Sequence, residues 1–179
     1  MTQGTADFFS PLRPEKNNMS ETIVIPQGIT GKKEKYEALL PQIRALVNGE
    51  TDVIANLANI MAALKYGMDF FWVGIYFVKN DALVLGPFQG PVACVRIAKG
   101  KGVCGTSWEK EESIIVRNVD EFPGHIACSA ESKSEIVIPV FKNGKVAGVL
   151  DVDSDKFAAF DKVDETYLKE VVQLIESIL

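Results

Sequence analysis

At 179 residues, 47% hydrophobic and 24% charged, the chain has the length of about one domain and enough apolar side chains to bury a core without staples. A net charge of -5 disfavours broad attraction to nucleic acid or to an anionic membrane, which leaves small molecules and other proteins as partners. Three cysteines point to a reducing compartment, no N-terminal stretch has the order of a secretory signal, and the longest apolar run, Phe70 to Val78, falls far short of a membrane helix, so the expected location is the cytoplasm.

Residues 1 to about 30 have no helical or strand period and carry Pro11, Pro14, Asn17, Asn18, Pro26 and Gly28. A flexible extension or leader is expected there, with Met19-Ser20-Glu21-Thr22 reading as a second start and one domain over residues 31–179. Lys32 to Val47 has helical spacing, with Pro41 as an expected kink. Thr51 or Asp52 caps a second helix bearing Val53, Ile54, Leu57, Ile60, Met61 and Leu64 on one face, and Gly67 is expected to end it. Phe70 to Val78 reads as a strand, as do Ala82 to Leu85 and Ala93 to Ile97. Gly100-Lys101-Gly102 opens a short helix through Cys104 to Lys110, Ser113 to Val119 forms a strand, and Asp120 to Ser134 is a long loop. Ser134 to Phe141 and Lys145 to Asp153 flank Asn143-Gly144, a strong hairpin signal, and Asp161 caps a terminal helix. The expected fold is α+β, a single domain with about six antiparallel strands and its N- and C-terminal helices packed on one face.

Strand geometry singles out a few residues for chemistry. Trp72, Gly74 and Tyr76 share one face of the first long strand, where a glycine between two aromatics would leave a ring-walled gap for a small ligand; a sheet glycine accommodating a helix is the plainer reading. Asp151 and Asp153 share a face near the end of an apolar strand, and Glu135 begins the neighbouring one. Three such acids suit an ammonium group, and their repulsion raises at least one pKa toward the range of a proton donor. A strand end running into solvent at Asp153-Ser154-Asp155 is the alternative.

The long loop carries Cys128 beside His125 and Glu131, while Cys94 falls in a short strand and Cys104 at a helix start. An odd, sparse set of thiols suits a cysteine that does chemistry and hands its oxidised product to a second one; each is otherwise a small buried apolar residue. Cys94, Cys104, Cys128 and His125 could formally supply a Cys₃His zinc set, but they lack the close cysteine pairs of structural zinc sites, so no metal is expected.

Five segments resemble the free methionine-(R)-sulfoxide reductases, enzymes built on a GAF-type domain. They are Gly86-Pro87-Phe88-Gln89-Gly90 before Val92-Ala93-Cys94, Gly100-Lys101-Gly102-Val103-Cys104-Gly105-Thr106, Phe122-Pro123-Gly124-His125-Ile126-Ala127-Cys128, Ser132-Lys133-Ser134-Glu135-Ile136-Val137 and Gly148-Val149-Leu150-Asp151-Val152-Asp153-Ser154. The resemblance runs from about Lys32 to the C-terminus. It implies a GAF-like fold, Cys128 as the catalytic cysteine, Cys94 as the main resolving cysteine and Cys104 as a third that assists or substitutes. It further implies Trp72 and Tyr76 as the aromatic wall of the substrate pocket, and Glu135, Asp151 and Asp153 as the acidic cluster that binds the amino group and assists proton transfer. Backbone groups around Ile126 and Ala127 are expected partners for the substrate carboxylate.

The expected reaction is attack of the Cys128 thiolate on the sulfoxide sulfur, with Glu135 or Asp153 as general acid, then a sulfenic acid, a disulfide with Cys94 and recycling by thioredoxin, without metal or organic cofactor. The competing readings are a non-catalytic GAF module that senses a small ligand and a peroxidase-like thiol sensor. The terminal helices offer a face for a homodimer.

Overall fold

The computed structural model describes residues 22–124 and 130–179. Helix α1, Lys32–Val47, keeps Pro41 within it on the exposed side and buries Tyr36, Leu39, Leu40, Ile43 and Val47 along one stripe. Of the two candidate caps for α2, Val53–Met68, Asp52 does the work, its carboxylate accepting from the Ala55 N–H at 2.8 Å. Gly67 does not end that helix. It lies inside it, where an added Cβ would stand 2.8 Å from the Leu39 methyls of α1, so its task is close helix approach; Asp69, in the left-handed region, closes the helix instead.

Six strands follow in one antiparallel sheet, in the spatial order β3-β2-β1-β6-β5-β4. They are β1 (Trp72–Lys79), β2 (Ala82–Gln89), β3 (Arg96–Ala98), β4 (Ile114–Val116), β5 (Ser134–Lys142) and β6 (Lys145–Ser154). β2 runs past the expected Leu85, because an extra residue between the Tyr76↔Leu85 and Gly74↔Phe88 pairs lets the strand carry Pro87 in a bulge. β3 and β4 are shorter than expected, so Cys94 belongs to the β2–β3 connection and not to a strand. The long connection before β5 opens on a 3₁₀ turn, Val119–Glu121. Asn143 and Gly144, both at positive φ, make the tight turn between β5 and β6.

Helix α4, Lys162–Ile178, opens on a capping box in which Asp161 and Asp164 each bond the other's backbone end. Asp164 also accepts from the Tyr36 hydroxyl at 3.0 Å and from Lys32, tying the start of α4 to the start of α1. Helices α1, α2 and α4 cover one sheet face, burying Val73, Ile75, Ile136, Leu150 and Val152 against their own apolar stripes. Full burial of each such side chain is worth about 1.5–3 kcal/mol. Helix α3, Gly102–Lys110, packs on the opposite face with Trp72, Tyr76, Val137 and Val149. The sheet therefore has two covered faces, one closed by three helices and one shared between α3 and loops.

The described part of the N-terminal stretch is docked and not free. Val24 exchanges both main-chain bonds with the Gln42 side chain of α1, and Ile23 and Ile25 pack on the core. Among the described residues no helix is long and apolar enough to cross a membrane.

Candidate active site

Strand register assembles the site. On the α3 face, Glu135 of β5, Asp153 of β6 and Trp72 of β1 fall in one cross-strand row, and Val137, Asp151 and Gly74 in the next. With Tyr76 and Cys104 these residues line a narrow pocket that offers about 40 Å³ to the centres of water-sized molecules.

The pocket is acidic and two of its carboxylates are buried. Glu135 is 6% exposed and Asp151 5%, and among the described residues no lysine or arginine pairs with either of them or with Asp153. Burial pushes the Glu135 carboxyl well above the usual carboxylate range, and the nearby Asp151 and Asp153 push it the same way. Asp151 is raised by burial and by Asp153. Burial lifts Asp153 to about 6 against the pull of the Ser132 hydroxyl, which donates to its Oδ1. One oxygen is left over: Asp151 Oδ1 is buried with no hydrogen-bond partner among the described residues. A buried acceptor without a donor is costly, and a ligand that brings donors or positive charge would meet it here.

The aromatic side differs from the expected ring-walled gap. A Cβ on Gly74 would stand 2.3 Å from the Trp72 ring and 2.6 Å from Phe88 Cβ, and one on Gly90 would stand 2.5 Å from the same indole. The space above Gly74 is thus filled by Trp72 itself, which lies flat between Phe88 (centroids 5.5 Å apart) and Tyr76 (6.1 Å). The ring edges are anchored to the β2–β3 connection: Trp72 Nε1 donates to the Pro91 carbonyl at 3.0 Å and the Tyr76 hydroxyl to the Cys94 carbonyl at 3.1 Å. Burial, with the carboxylates behind it, raises Tyr76 above the ordinary phenol range and keeps that hydroxyl a donor.

Two of the three cysteines fall in the described residues, in unlike settings. Cys94 is half-buried and disulfide-bonded. Cys104, in the first turn of α3, is buried and free; its thiol donates to Glu135 Oε1 at 3.8 Å and is pushed well above the usual thiol range by burial first, then by Asp151 and Glu135. The expected site residues Cys128, Ile126 and Ala127, with His125, lie outside the described residues. The flanks of that segment both reach the pocket: the Gly124 carbonyl accepts from Gly102 N at 3.2 Å, and Ser132 holds Asp153. Trp72, Tyr76, Cys104, Glu135, Asp151 and Asp153 are brought together, while Cys94 sits one residue beyond the lining residue Ala93. Sequence reasoning gave no role to Ser132; its spacing three residues before Glu135 was the available signal.

The sequence profile of the GAF domain matches residues 48–179. A GAF domain-containing protein A of Dictyostelium discoideum is 56% identical over 89% of this chain and 100% of its own length. A free methionine-R-sulfoxide reductase of Escherichia coli is 45% identical over 83% of this chain and 90% of its own. The X-ray structure of a free methionine-R-sulfoxide reductase from Neisseria meningitidis, solved in complex with its substrate, superposes with a TM-score of 0.84 at 47% identity, covering 88% of this chain and 95% of that one.

Proposed function

The chain belongs to the free methionine-R-sulfoxide reductases, oxidoreductases built on a GAF domain, and on that footing we propose that it reduces free methionine-(R)-sulfoxide to methionine. The observation that carries the substrate class is the acidic pocket itself. A free amino acid brings an ammonium with three donors, and among the described residues Asp151 Oδ1 is a buried acceptor without a partner, beside Glu135 and Asp153. A residue within a peptide has no such ammonium, so peptide-bound sulfoxide is a poor substrate in this reading.

Cys128 is the proposed nucleophile. It stands four residues after Gly124 and four before Ser132, within a reach of about 14 Å of chain from either, and both flanks border the pocket. Its thiolate attacks the sulfoxide sulfur, and the oxygen becomes a leaving group only once protonated. Glu135 and Asp153 suit that task because burial raises both above the ordinary carboxylate range, so each holds a proton at a higher pH than an exposed acid does. The oxygen departs as water, and a water then attacks the Cys128 sulfur and breaks the new S–S bond. Methionine leaves with a proton going to solvent, Cys128 is left as a sulfenic acid, and the Cys94 thiol condenses with it to give a disulfide and water. A thioredoxin-like dithiol reduces that disulfide and is itself oxidised. The disulfide-bonded state of Cys94 supports its resolving role. Ile126 and Ala127 are the proposed backbone partners of the substrate carboxylate, and a relay of this kind suits the reducing cytoplasm.

One assay tests the reading: methionine release from the separated R and S diastereomers of free methionine sulfoxide, with dithiothreitol or thioredoxin as reductant. The R form is expected to turn over, the S form to remain, and Cys128→Ser to abolish release. Near-normal activity in Cys128→Ser ends the nucleophile assignment. Failure of both diastereomers to react favours the small-ligand sensor instead.

A further inference from the structure

Cys104, Glu135 and Asp151 each turn a ligand atom into the same buried corner, and these atoms all lie within 4.8 Å of one another. We propose that this thiol and two carboxylates form a binding site for a borderline-soft divalent cation of the zinc class, seated where the substrate ammonium goes. The location of the seat rests on the proposed function; the coordination chemistry does not.

The geometry is close to what such an ion needs. Tetrahedral zinc with one sulfur and two oxygens sets its sulfur and oxygen ligands about 3.5 Å apart. Cys104 Sγ and Glu135 Oε1 stand 3.8 Å apart, so the corner closes on an ion by small rotations of its side chains. A second, independent feature points to a ligand here: Asp151, 5% exposed, keeps Oδ1 without a partner among the described residues. The three side chains line the same pocket as Trp72 and Tyr76. The sulfur selects against magnesium and calcium, which take all-oxygen shells, and favours zinc, cobalt and cadmium.

The divalent ion displaces to solvent the Cys104 proton and any proton that Glu135 or Asp151 holds, forms a metal–sulfur bond, and with its three anionic ligands carries a net single negative charge. The ion then holds Glu135 and Asp151 away from an incoming ammonium, so metal and substrate exclude each other. These ligands differ from the Cys94, Cys104, Cys128 and His125 set that the sequence formally offered, and the difference comes from register: β5 and β6 bring two carboxylates to Cys104.

Cobalt(II) titration of the full-length Cys94→Ser/Cys128→Ser protein tests this, because Cys104 is then the sole thiol of the chain. One equivalent of cobalt is expected to give a sulfur-to-cobalt charge-transfer band. Adding Cys104→Ser removes the band, and adding Asp151→Asn weakens cobalt affinity about tenfold or more, each variant first checked for native near-ultraviolet circular dichroism. Excess free methionine is expected to displace the cobalt. Absence of the band, or a band of undiminished affinity with Asp151→Asn, overturns the metal site. A band that obeys both substitutions but ignores methionine upholds the metal site and removes the ammonium seat from the proposed function.

Discussion

Cys94 and Cys104 carry the same side chain and meet opposite surroundings. Only a thiolate attacks a sulfenic acid readily. Cys104 is 3% exposed, donates its proton to Glu135 and has its thiol form favoured by burial and two carboxylates, whereas Cys94 stands half-buried in a connection, its carbonyl held by Tyr76. In the proposed mechanism the resolving role is therefore assigned to Cys94, with Cys104 bonded to the acid cluster. Cys104→Ser keeps a donor for Glu135, so thioredoxin-supported turnover is expected to fall by no more than about tenfold, the range of one neutral hydrogen bond. Cys94→Ser is expected to release one equivalent of methionine and then stall. A rapid-quench comparison of the first turnover with the steady state separates the two, and a stall in Cys104→Ser would return the resolving role to it.

Strand β1 supplies the aromatic wall, and its glycine is what lets the wall stand. Because Trp72 fills the space above Gly74, a methyl there collides with the ring and must tilt it out of the stack with Phe88 and Tyr76. Gly74→Ala is expected to cost about 1–3 kcal/mol of stability, the usual range for overpacking, to change the near-ultraviolet circular dichroism of Trp72 and to raise KM more than it lowers kcat. Unaltered dichroism and KM would mean that the ring does not wall the substrate. Elements whose signals are local were legible in the sequence: the Asn143-Gly144 turn, the Asp52 and Asp161 caps and the apolar stripes of α1 and α4. Those decided by distant partners were not. Gly67 reads as a helix stop until Leu39 is seen against it, and the strand from Ala82 reads as ending at Leu85 until the bulge opposite β1 carries it on through Pro87.

Across the whole molecule, the helix face of the sheet supplies stability and the α3 face gives some of it up to hold a site. Asp151 and Asp153 could be put on one face from their spacing, and the hairpin brings Glu135 near them, but that Trp72 and not a ligand occupies the space at Gly74 depends on three strands meeting. The cost of the acids has a definite sign with pH. Asp153 ionises near 3.8 when unfolded and at about 6 when folded; Glu135 and Asp151 are raised in the same direction. Below the unfolded values both states are protonated and the site costs nothing. As pH rises, the unfolded chain releases protons that the folded one retains, so stability is lost through this window and stays lost above the folded values. The ligand-free protein is expected to melt higher at pH 5 than at pH 8. Asp151→Asn removes one of these charges and leaves an amide that can donate, so it is expected to raise Tm at pH 8, by about 2–4 °C per kcal/mol recovered for a chain of this length, and to flatten the dependence on pH. The same substitution is expected to weaken binding of free methionine sulfoxide, and with it the rise in Tm that a saturating ligand gives the wild type by mass action. Differential scanning calorimetry from pH 4 to pH 8, with and without free methionine, reads both effects. A lower Tm for Asp151→Asn at pH 8, with its pH slope unchanged, would mean that Asp151 is a structural partner and not a charge held ready for a ligand.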